Sequence, residues 1–343
     1  MILRRNPSPD LRAFRLLPPV GHVTLVILLL LLAAFFRLYR LDSVPPGLTH
    51  DEASNGHDAA GVLRGVRPIY FTVGYGHEPL YPYSVALVMS LLGTTDAALR
   101  LTTVGWGMAL ILLSYVFARR LFGPLAALLT AAWMAPSFWC VMTSRMGLRA
   151  ITLVVTFTAS ACCFWLARSL RRGETAPPTP SWRTWTWWAL SGLSLGASIY
   201  TYMASRAMPA VYLLFLFYLL LLKLLGGHSS PLRQHWPGIV VVLLLAALVA
   251  APLVHFLITH PQAEQRVGQL VAPLQEAARG DFSSLRRNLL LTLPMFTFRG
   301  DVMWRYNIPG RPLLDPVSGV LFYAGILLCL YRWRDPRYAF LLL

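Results

Sequence analysis

The stretch Gly47-Leu48-Thr49-His50-Asp51-Glu52 places a histidine and two adjacent carboxylates shortly after the first long apolar run, Val23 to Phe36. Charged groups so close to lipid are costly and are usually functional. The residues that follow, through Leu63, have helical character, so Asp51 could cap this helix and Glu52 could favour its N-terminal dipole. The stretch therefore has two interpretations, a helix start and a chemical site beside the membrane.

The composition is that of an integral membrane protein. Of the 343 residues, 56% are hydrophobic and only 13% are charged, whereas a soluble domain carries about 25% charged residues. The net charge of +16 comes almost entirely from arginine. Because these arginines lie between apolar runs, membrane topology and lipid headgroups explain them better than nucleic acid does. We therefore expect membrane lipids, and no nucleic acid, among the partners.

Eight apolar runs approach the roughly 20 residues that a membrane-spanning helix needs. A shorter run, 79–92, begins with prolines and aromatics and is predicted to lie in the interface as a helix. If 79–92 does not cross, the short basic connections, such as Arg119-Arg120, all lie on the inner side, as the positive-inside rule requires. The predicted spans are 21–38, 101–118, 121–140, 148–167, 184–201, 208–225, 237–256 and 316–331, and a ninth begins near Tyr338.

These runs predict an all-α fold, a polytopic transmembrane helical bundle with outward-facing loops and interfacial helices. Residues 1–343 are expected to form a single module, and because the chain ends inside an apolar run we expect a C-terminal portion to be missing. The basic N-terminus, Met1 to Val20, predicts a retained signal anchor. Two long connections are predicted to face outward, and we call them the first outer loop (39–100) and the second outer loop (257–315).

The first outer loop carries further polar groups. His77 and Glu78 open the interfacial helix at the membrane surface, where they could contact a substrate, although a simple turn is the alternative. His50, His57 and Asp58 are weak candidates for a metal site, because their spacing matches no zinc pattern. The sequence leaves open a divalent ion held by carboxylates and phosphate oxygens.

Two arginines on the predicted outer side are candidates for binding a phosphate. Arg145 lies between two spans where the positive-inside rule asks for no charge, and a planar guanidinium binds phosphate oxygens well. Arg206, close to Tyr200 and Tyr202, repeats this arrangement. The alternative is interfacial anchoring, for which arginine and tyrosine are also typical.

The order of these motifs resembles that of the GT-C membrane glycosyltransferases. The resemblance is greatest to the branch of protein O-mannosyltransferases and lipid A aminoarabinose transferases, and it covers about residues 35–225. It rests on His50-Asp51-Glu52, His77-Glu78-Pro79-Leu80, Ala97-Ala98-Leu99-Arg100-Leu101, Ala118-Arg119-Arg120-Leu121-Phe122-Gly123 and Ser144-Arg145.

The resemblance implies a role for each candidate residue. Asp51 would be the catalytic acidic residue that activates the acceptor, and Glu52 would support it or orient the donor. His77 would match the histidine of the family's His-x-Pro-Leu element, and Arg145 the arginine that contacts phosphate. Glu78 is a departure, because relatives often have proline there, and this leaves the subfamily open.

The resemblance also implies the reaction. A sugar would pass from a polyprenyl-phosphate donor to an acceptor glycan, lipid or protein on the extracytoplasmic side, by an inverting single displacement. Another lipid-phosphate enzyme is one alternative; a non-enzymatic polyprenyl-phosphate-binding or flippase-type protein is another, and it would not need Asp51. A transporter is disfavoured, because the predicted spans contain no Asp or Glu. The arginine-rich composition favours a bacterial plasma membrane.

Overall fold

A computed structural model describes residues 19–167, 181–226, 229–264, 267–304 and 306–343, so the basic N-terminal part of the predicted signal anchor lies almost wholly outside the described residues, while its apolar run lies within them. Within these ranges the chain is helical, with one isolated β-bridge between Phe71 and His77. The predicted all-α fold is confirmed. The helices are α1 Pro19–Leu38, α2 His50–Leu63, α3 Leu80–Leu92, α4 Asp96–Phe122, α5 Pro124–Met134, α6 Phe138–Arg145, α7 Ala150–Leu166, α8 Trp182–Ser198, α9 Met208–Gly226, α10 Ser229–Thr259, α11 Val267–Ala278, α12 Ser283–Thr292, α13 Pro316–Tyr331 and α14 Pro336–Leu342.

Among the described residues, four helical stretches are long and apolar enough to cross a membrane: Val20–Leu38, Asp96–Phe122, Met203–Leu225 and Pro231–Thr259. The helix pair α5 and α6 would make a fifth if it counts as one span. Three shorter apolar helices, α3, α7 and α13, fall below this length. The protein is thus an integral membrane protein, with fewer full-length spans among the described residues than the eight that the sequence predicts.

The predicted span 121–140 is not one continuous helix, because the helix breaks between Met134 and Phe138 and the two parts are bent by 63°. The physical reason is Pro136, which lacks an N–H and cannot continue a helix without distortion. Arg37 of α1 stabilises the break: its Nη1 donates to Ala135 O at 3.0 Å and its Nη2 donates to Met134 O at 3.3 Å.

The centre of the bundle is formed by α4, α7, α8 and α10, packed side by side. Gly192 of α8 allows a close approach to α10, since a Cβ there would come within 2.8 Å of the Leu245 Cβ. Small residues at such contacts are typical of membrane helix packing. On the other side, α9 packs on α7 through a buried aromatic cluster that includes Phe164, Trp165 and Phe215.

The first outer loop folds back onto the bundle as the helix pair α2 and α3. The two helices share a small core around Ala59, Tyr81 and Val85. The amide of Leu80 donates to Tyr200 O at 2.9 Å, which attaches the start of α3 to the turn after α8. This packing brings the polar ends of α2, α3, α6 and α8 to one region of the protein.

Candidate active site

Thr49 is the N-cap of α2, two residues before Asp51, so the prediction that Asp51 caps this helix is wrong. The Thr49 hydroxyl accepts from the Glu52 amide at 3.3 Å, and the Thr49 amide donates to Glu52 Oε2 at 2.9 Å. This reciprocal pair is a capping box. It explains why Glu52, which is fully buried, lies inward while its neighbour Asp51 lies outward.

Glu52 also joins α2 to two other parts of the bundle. Its Oε1 accepts from the Gly147 amide at 2.9 Å and lies 3.7 Å from Arg100 Nε. Asn55 of α2 donates to Gly147 O at 2.9 Å. Gly147 has no room for a side chain, because an added Cβ would overlap Leu99 and come within 3.2 Å of Glu52 Cγ. The start of α2 is therefore rigidly held.

Asp51 is the exposed member of the acidic pair, with 54% of its side chain accessible. The hydroxyl of Tyr306, from the second outer loop, donates to Asp51 Oδ2 at 2.6 Å. His50 is more exposed still, at 88%, and its Nδ1 lies 4.0 Å from Asp51 Oδ1. The structure thus brings the two outer loops together at a carboxylate that a substrate can reach.

His77 and Asp58 form a buried pair with their Nε2 and Oδ2 atoms 2.7 Å apart. The ring of Phe71 stacks on the His77 ring, with centroids 5.4 Å apart. His57 lies exposed on the same helix as Asp58. Across the described part of the chain, no cluster of three or more His, Cys, Asp or Glu side chains could hold a metal ion. The metal candidates and the substrate role of His77 stay predictions.

Glu78 is buried between two arginines. Its Oε2 lies 4.0 Å from Arg149 Nε, and its Oε1 lies 3.7 Å from Arg206 Nη2. Burial raises the pKa of the Glu78 carboxyl, and the charges of Arg149 and Arg206 lower it again only in part. Among the described residues, neither Glu78 Oε1 nor Arg149 Nε has a hydrogen-bond partner. We call Glu78, Arg149 and Arg206 the arginine cluster.

Neighbouring groups position the arginine cluster. Arg206 forms a bidentate ion pair with Glu264, in which Nη1 donates to Oε2 at 3.0 Å. The Arg149 guanidinium lies 5.5 Å from the centre of the Tyr202 ring. Tyr200 instead donates its hydroxyl to Val249 O at 2.8 Å. Of the two tyrosines, Tyr202 lies beside the cluster and Tyr200 contributes to packing, and their predicted substrate contacts stay untested.

The Arg145 guanidinium donates hydrogen bonds to four backbone carbonyls. Its Nη1 donates to Phe36 O at 2.8 Å and to Arg37 O at 3.0 Å. Its Nη2 donates to Arg40 O at 3.1 Å and to Val44 O at 2.7 Å. These carbonyls lie at and just beyond the carboxyl end of α1, where a helix leaves acceptors unpaired. The phosphate role of Arg145 stays a prediction, and these four bonds count against it.

We expect Arg145→Met to destabilise the fold, because it removes the donor to one buried and three part-buried carbonyls at and just beyond the end of α1. Each buried polar group left unsatisfied costs about 1–3 kcal/mol, so a large fall in the melting temperature of the detergent-solubilised protein should follow. Arg64→Met, which removes an exposed arginine, is the matched control. Equal melting temperatures for Arg145→Met and the wild type would show that these bonds contribute little.

Three solved structures resemble this chain. The Saccharomyces cerevisiae Pmt1–Pmt2 O-mannosyltransferase complex bound to sugar donor is 22% identical with a TM-score of 0.55, covering 75% of this chain and 36% of that chain. ArnT from Cupriavidus metallidurans bound to undecaprenyl phosphate is 14% identical with a TM-score of 0.55, covering 94% and 52%. The Archaeoglobus fulgidus oligosaccharyltransferase tethered to an acceptor peptide is 17% identical with a TM-score of 0.58, covering 94% and 45%.

The fold is therefore that of the GT-C membrane glycosyltransferases. Residues 76–256, more than half of the chain, match the family model of dolichyl-phosphate-mannose-protein mannosyltransferases. The chain belongs to this family, as its sequence motifs indicate. It spans only about a third to a half of the length of the solved structures that it resembles. No curated protein sequence matches it.

Proposed function

We propose that this protein transfers a sugar from a polyprenyl-phosphate donor to an acceptor on the extracytoplasmic side of the membrane. Its family membership supports this, as do similar structures that hold a sugar donor or undecaprenyl phosphate. The observation that carries the proposal is the start of α2. There Glu52 is locked into the bundle, while Asp51 stays accessible and is contacted by Tyr306.

Asp51 would act as the general base of a single displacement. The oxygen or nitrogen of the acceptor forms a bond to the anomeric carbon of the sugar, and its proton passes to Asp51. The bond from that carbon to the phosphate oxygen breaks, and its electron pair stays on the polyprenyl phosphate. Because acceptor and leaving group occupy opposite faces of the sugar, the anomeric configuration inverts. Tyr306 would orient the Asp51 carboxylate through its hydrogen bond to Oδ2.

The arginine cluster is the donor-phosphate site that the geometry supports best. The Arg149 side chain is 25% accessible, so an incoming phosphate can approach it, although its unpaired Nε is itself buried. Burial raises the pKa of the Glu78 carboxyl, a shift in the direction that favours a phosphate beside it. Arg149 follows Gly147 by two residues, so the hydrogen bond from the Gly147 amide to Glu52 also helps to position this arginine. Arginines placed in this way stabilise the charge on a departing phosphate.

We expect Arg149→Met to weaken the binding of polyprenyl phosphate about 10- to 100-fold, as the loss of one charge-assisted hydrogen bond would do. Titration of the detergent-solubilised protein with polyprenyl phosphate, followed by native mass spectrometry, measures this affinity. Arg149→Lys should retain part of the binding, because it keeps the charge but not the planar fork. Arg67→Met, at an exposed arginine elsewhere in the first outer loop, is the control. Unchanged affinity in Arg149→Met would place the phosphate elsewhere.

A further inference from the structure

A cavity of about 760 Å³ lies between the end of α1, helix α6 and the second outer loop. This is the volume of a small-molecule ligand site, which is typically about 300–1,000 Å³. Its walls are mainly aromatic and aliphatic, and they include Phe35, Phe36, Tyr39, Phe138, Val141 and Trp304. The first two belong to the last turn of α1, so the cavity lies between the end of a helix long enough to span a membrane and the second outer loop.

The cavity is directly connected to the proposed catalytic base. Tyr306 lines the cavity, and its hydroxyl donates to Asp51. The next residue, Asn307, also lines it and is only 4% exposed. Asn307 Nδ2 donates to Asp301 O at 2.9 Å and to Arg311 O at 2.7 Å, which fixes the orientation of the amide.

The remaining amide oxygen of Asn307 is a buried acceptor without a donor. Among the described residues, Asn307 Oδ1 has no hydrogen-bond partner. Buried polar atoms are rarely left unpaired, because the lost hydrogen bond to water is costly. This oxygen is closed to solvent in the present conformation, and it lies one residue along the chain from the tyrosine that contacts Asp51.

Three arginines line the cavity; Arg145 donates to the backbone carbonyls described above, and the other two give the cavity a positive rim. Arg40 and Arg311 both line it and both are exposed. In the described part of the chain neither forms an ion pair with a carboxylate; the Arg311 guanidinium lies 4.2 Å from the centre of the Phe138 ring. An apolar cavity with unpaired guanidinium groups at its edge complements an amphipathic molecule that carries negative charge.

We propose that this cavity binds the acceptor, and that the acceptor is an anionic amphipathic lipid rather than a protein. The proposal rests on the sugar transfer proposed above. The apolar part of the lipid occupies the aromatic walls, and its anionic group binds Arg40 and Arg311. The acceptor hydroxyl or amine then attacks the anomeric carbon, loses its proton to Asp51 and displaces the polyprenyl phosphate. The arginine cluster holds that phosphate, so donor and acceptor use different arginines.

Photocrosslinking from one wall of the cavity tests this assignment. p-Benzoylphenylalanine replaces Phe35, which lines the cavity, or Phe217, an exposed phenylalanine of α9 that does not. The full chain is reconstituted in vesicles of phosphatidylcholine and phosphatidylglycerol in equal parts, irradiated and analysed by mass spectrometry. We expect adducts at position 35 to favour phosphatidylglycerol about tenfold, the effect of one charge-assisted contact. Adducts at position 217 should follow the composition of the vesicles.

Two further experiments test whether the two arginines cause the preference for phosphatidylglycerol, and whether the cavity holds the donor instead. In Arg40→Gln combined with Arg311→Gln, the preference at position 35 should fall to the vesicle composition. Added polyprenyl phosphate should leave the adducts at position 35 unchanged, because it binds at the arginine cluster. Equal capture of both phospholipids at position 35 would overturn the proposal. Displacement of phosphatidylglycerol by polyprenyl phosphate would overturn it too, since the cavity would then hold the donor chain, while the proposed sugar transfer would stand.

Discussion

Asp51→Asn should abolish sugar transfer while the protein still folds and binds its donor. Asparagine keeps the size of the side chain and can still accept the hydrogen bond from Tyr306, but it cannot take a proton from the acceptor. Because a positioned general base contributes about 10²–10⁴-fold to a rate, we expect a loss of that size. The measurement is the rate at which membranes containing the variant release polyprenyl phosphate from a labelled donor.

His50→Gln is the matched control for Asp51→Asn. His50 precedes Asp51 at the same helix end and is more exposed, so its replacement should leave the rate within a few-fold of the wild type. A non-enzymatic polyprenyl-phosphate-binding or flippase-type protein would be insensitive to both substitutions. A wild-type rate in Asp51→Asn would remove the general base from the mechanism.

Glu52→Ala should destabilise the fold strongly. The substitution removes the acceptor of the Thr49 and Gly147 amides and leaves Arg100 buried without its carboxylate. Breaking a buried ion pair by removing one partner costs about 3–5 kcal/mol, which is a large part of the stability of most proteins. Low yield and a much lower melting temperature of the purified protein would show the effect.

A double-mutant cycle separates this structural role from a catalytic one. Arg100→Met alone should also destabilise the protein, although Arg100 further donates to Leu41 O and Gly47 O. The double variant should lose less stability than the sum of the two single variants, because each partner is costly only while the other is present. If Glu52→Ala folds as well as the wild type but is inactive, Glu52 takes part in the chemistry, as the family resemblance alone implies.

The sequence predicts where the site lies better than it predicts the separate roles of Glu52 and Asp51. Adjacent carboxylates after an apolar run indicate a site near the membrane, and Thr49 followed by Glu52 three residues later has the spacing of a capping box. That spacing already distinguishes Glu52 from Asp51. The contact of Glu52 with Gly147 could not be predicted, because it depends on how α2 packs against a loop 95 positions away.

Arg145 shows where an argument from charge alone fails. An arginine on the predicted outer side that topology does not require is unusual, but the structure uses it to satisfy carbonyls of α1. The sequence signals for Arg149 and Tyr306 are weaker. Arg149 is a second arginine close to Arg145, and Tyr306 is an aromatic residue in a turn-rich segment. The break in span 121–140 was visible in the sequence, because Pro136 lies inside the apolar run.

We propose that this chain binds a glycosylated polyprenyl phosphate and uses Asp51 to consume it. Mass spectrometry of the lipids that copurify with the wild type and with Asp51→Asn tests this claim whatever the sugar is. We predict intact glycosylated polyprenyl phosphate on Asp51→Asn, and mainly the free polyprenyl phosphate on the wild type. The mass difference between the two lipids would name the class of sugar. The same bulk phospholipids on both proteins, without polyprenyl phosphate, would contradict the account.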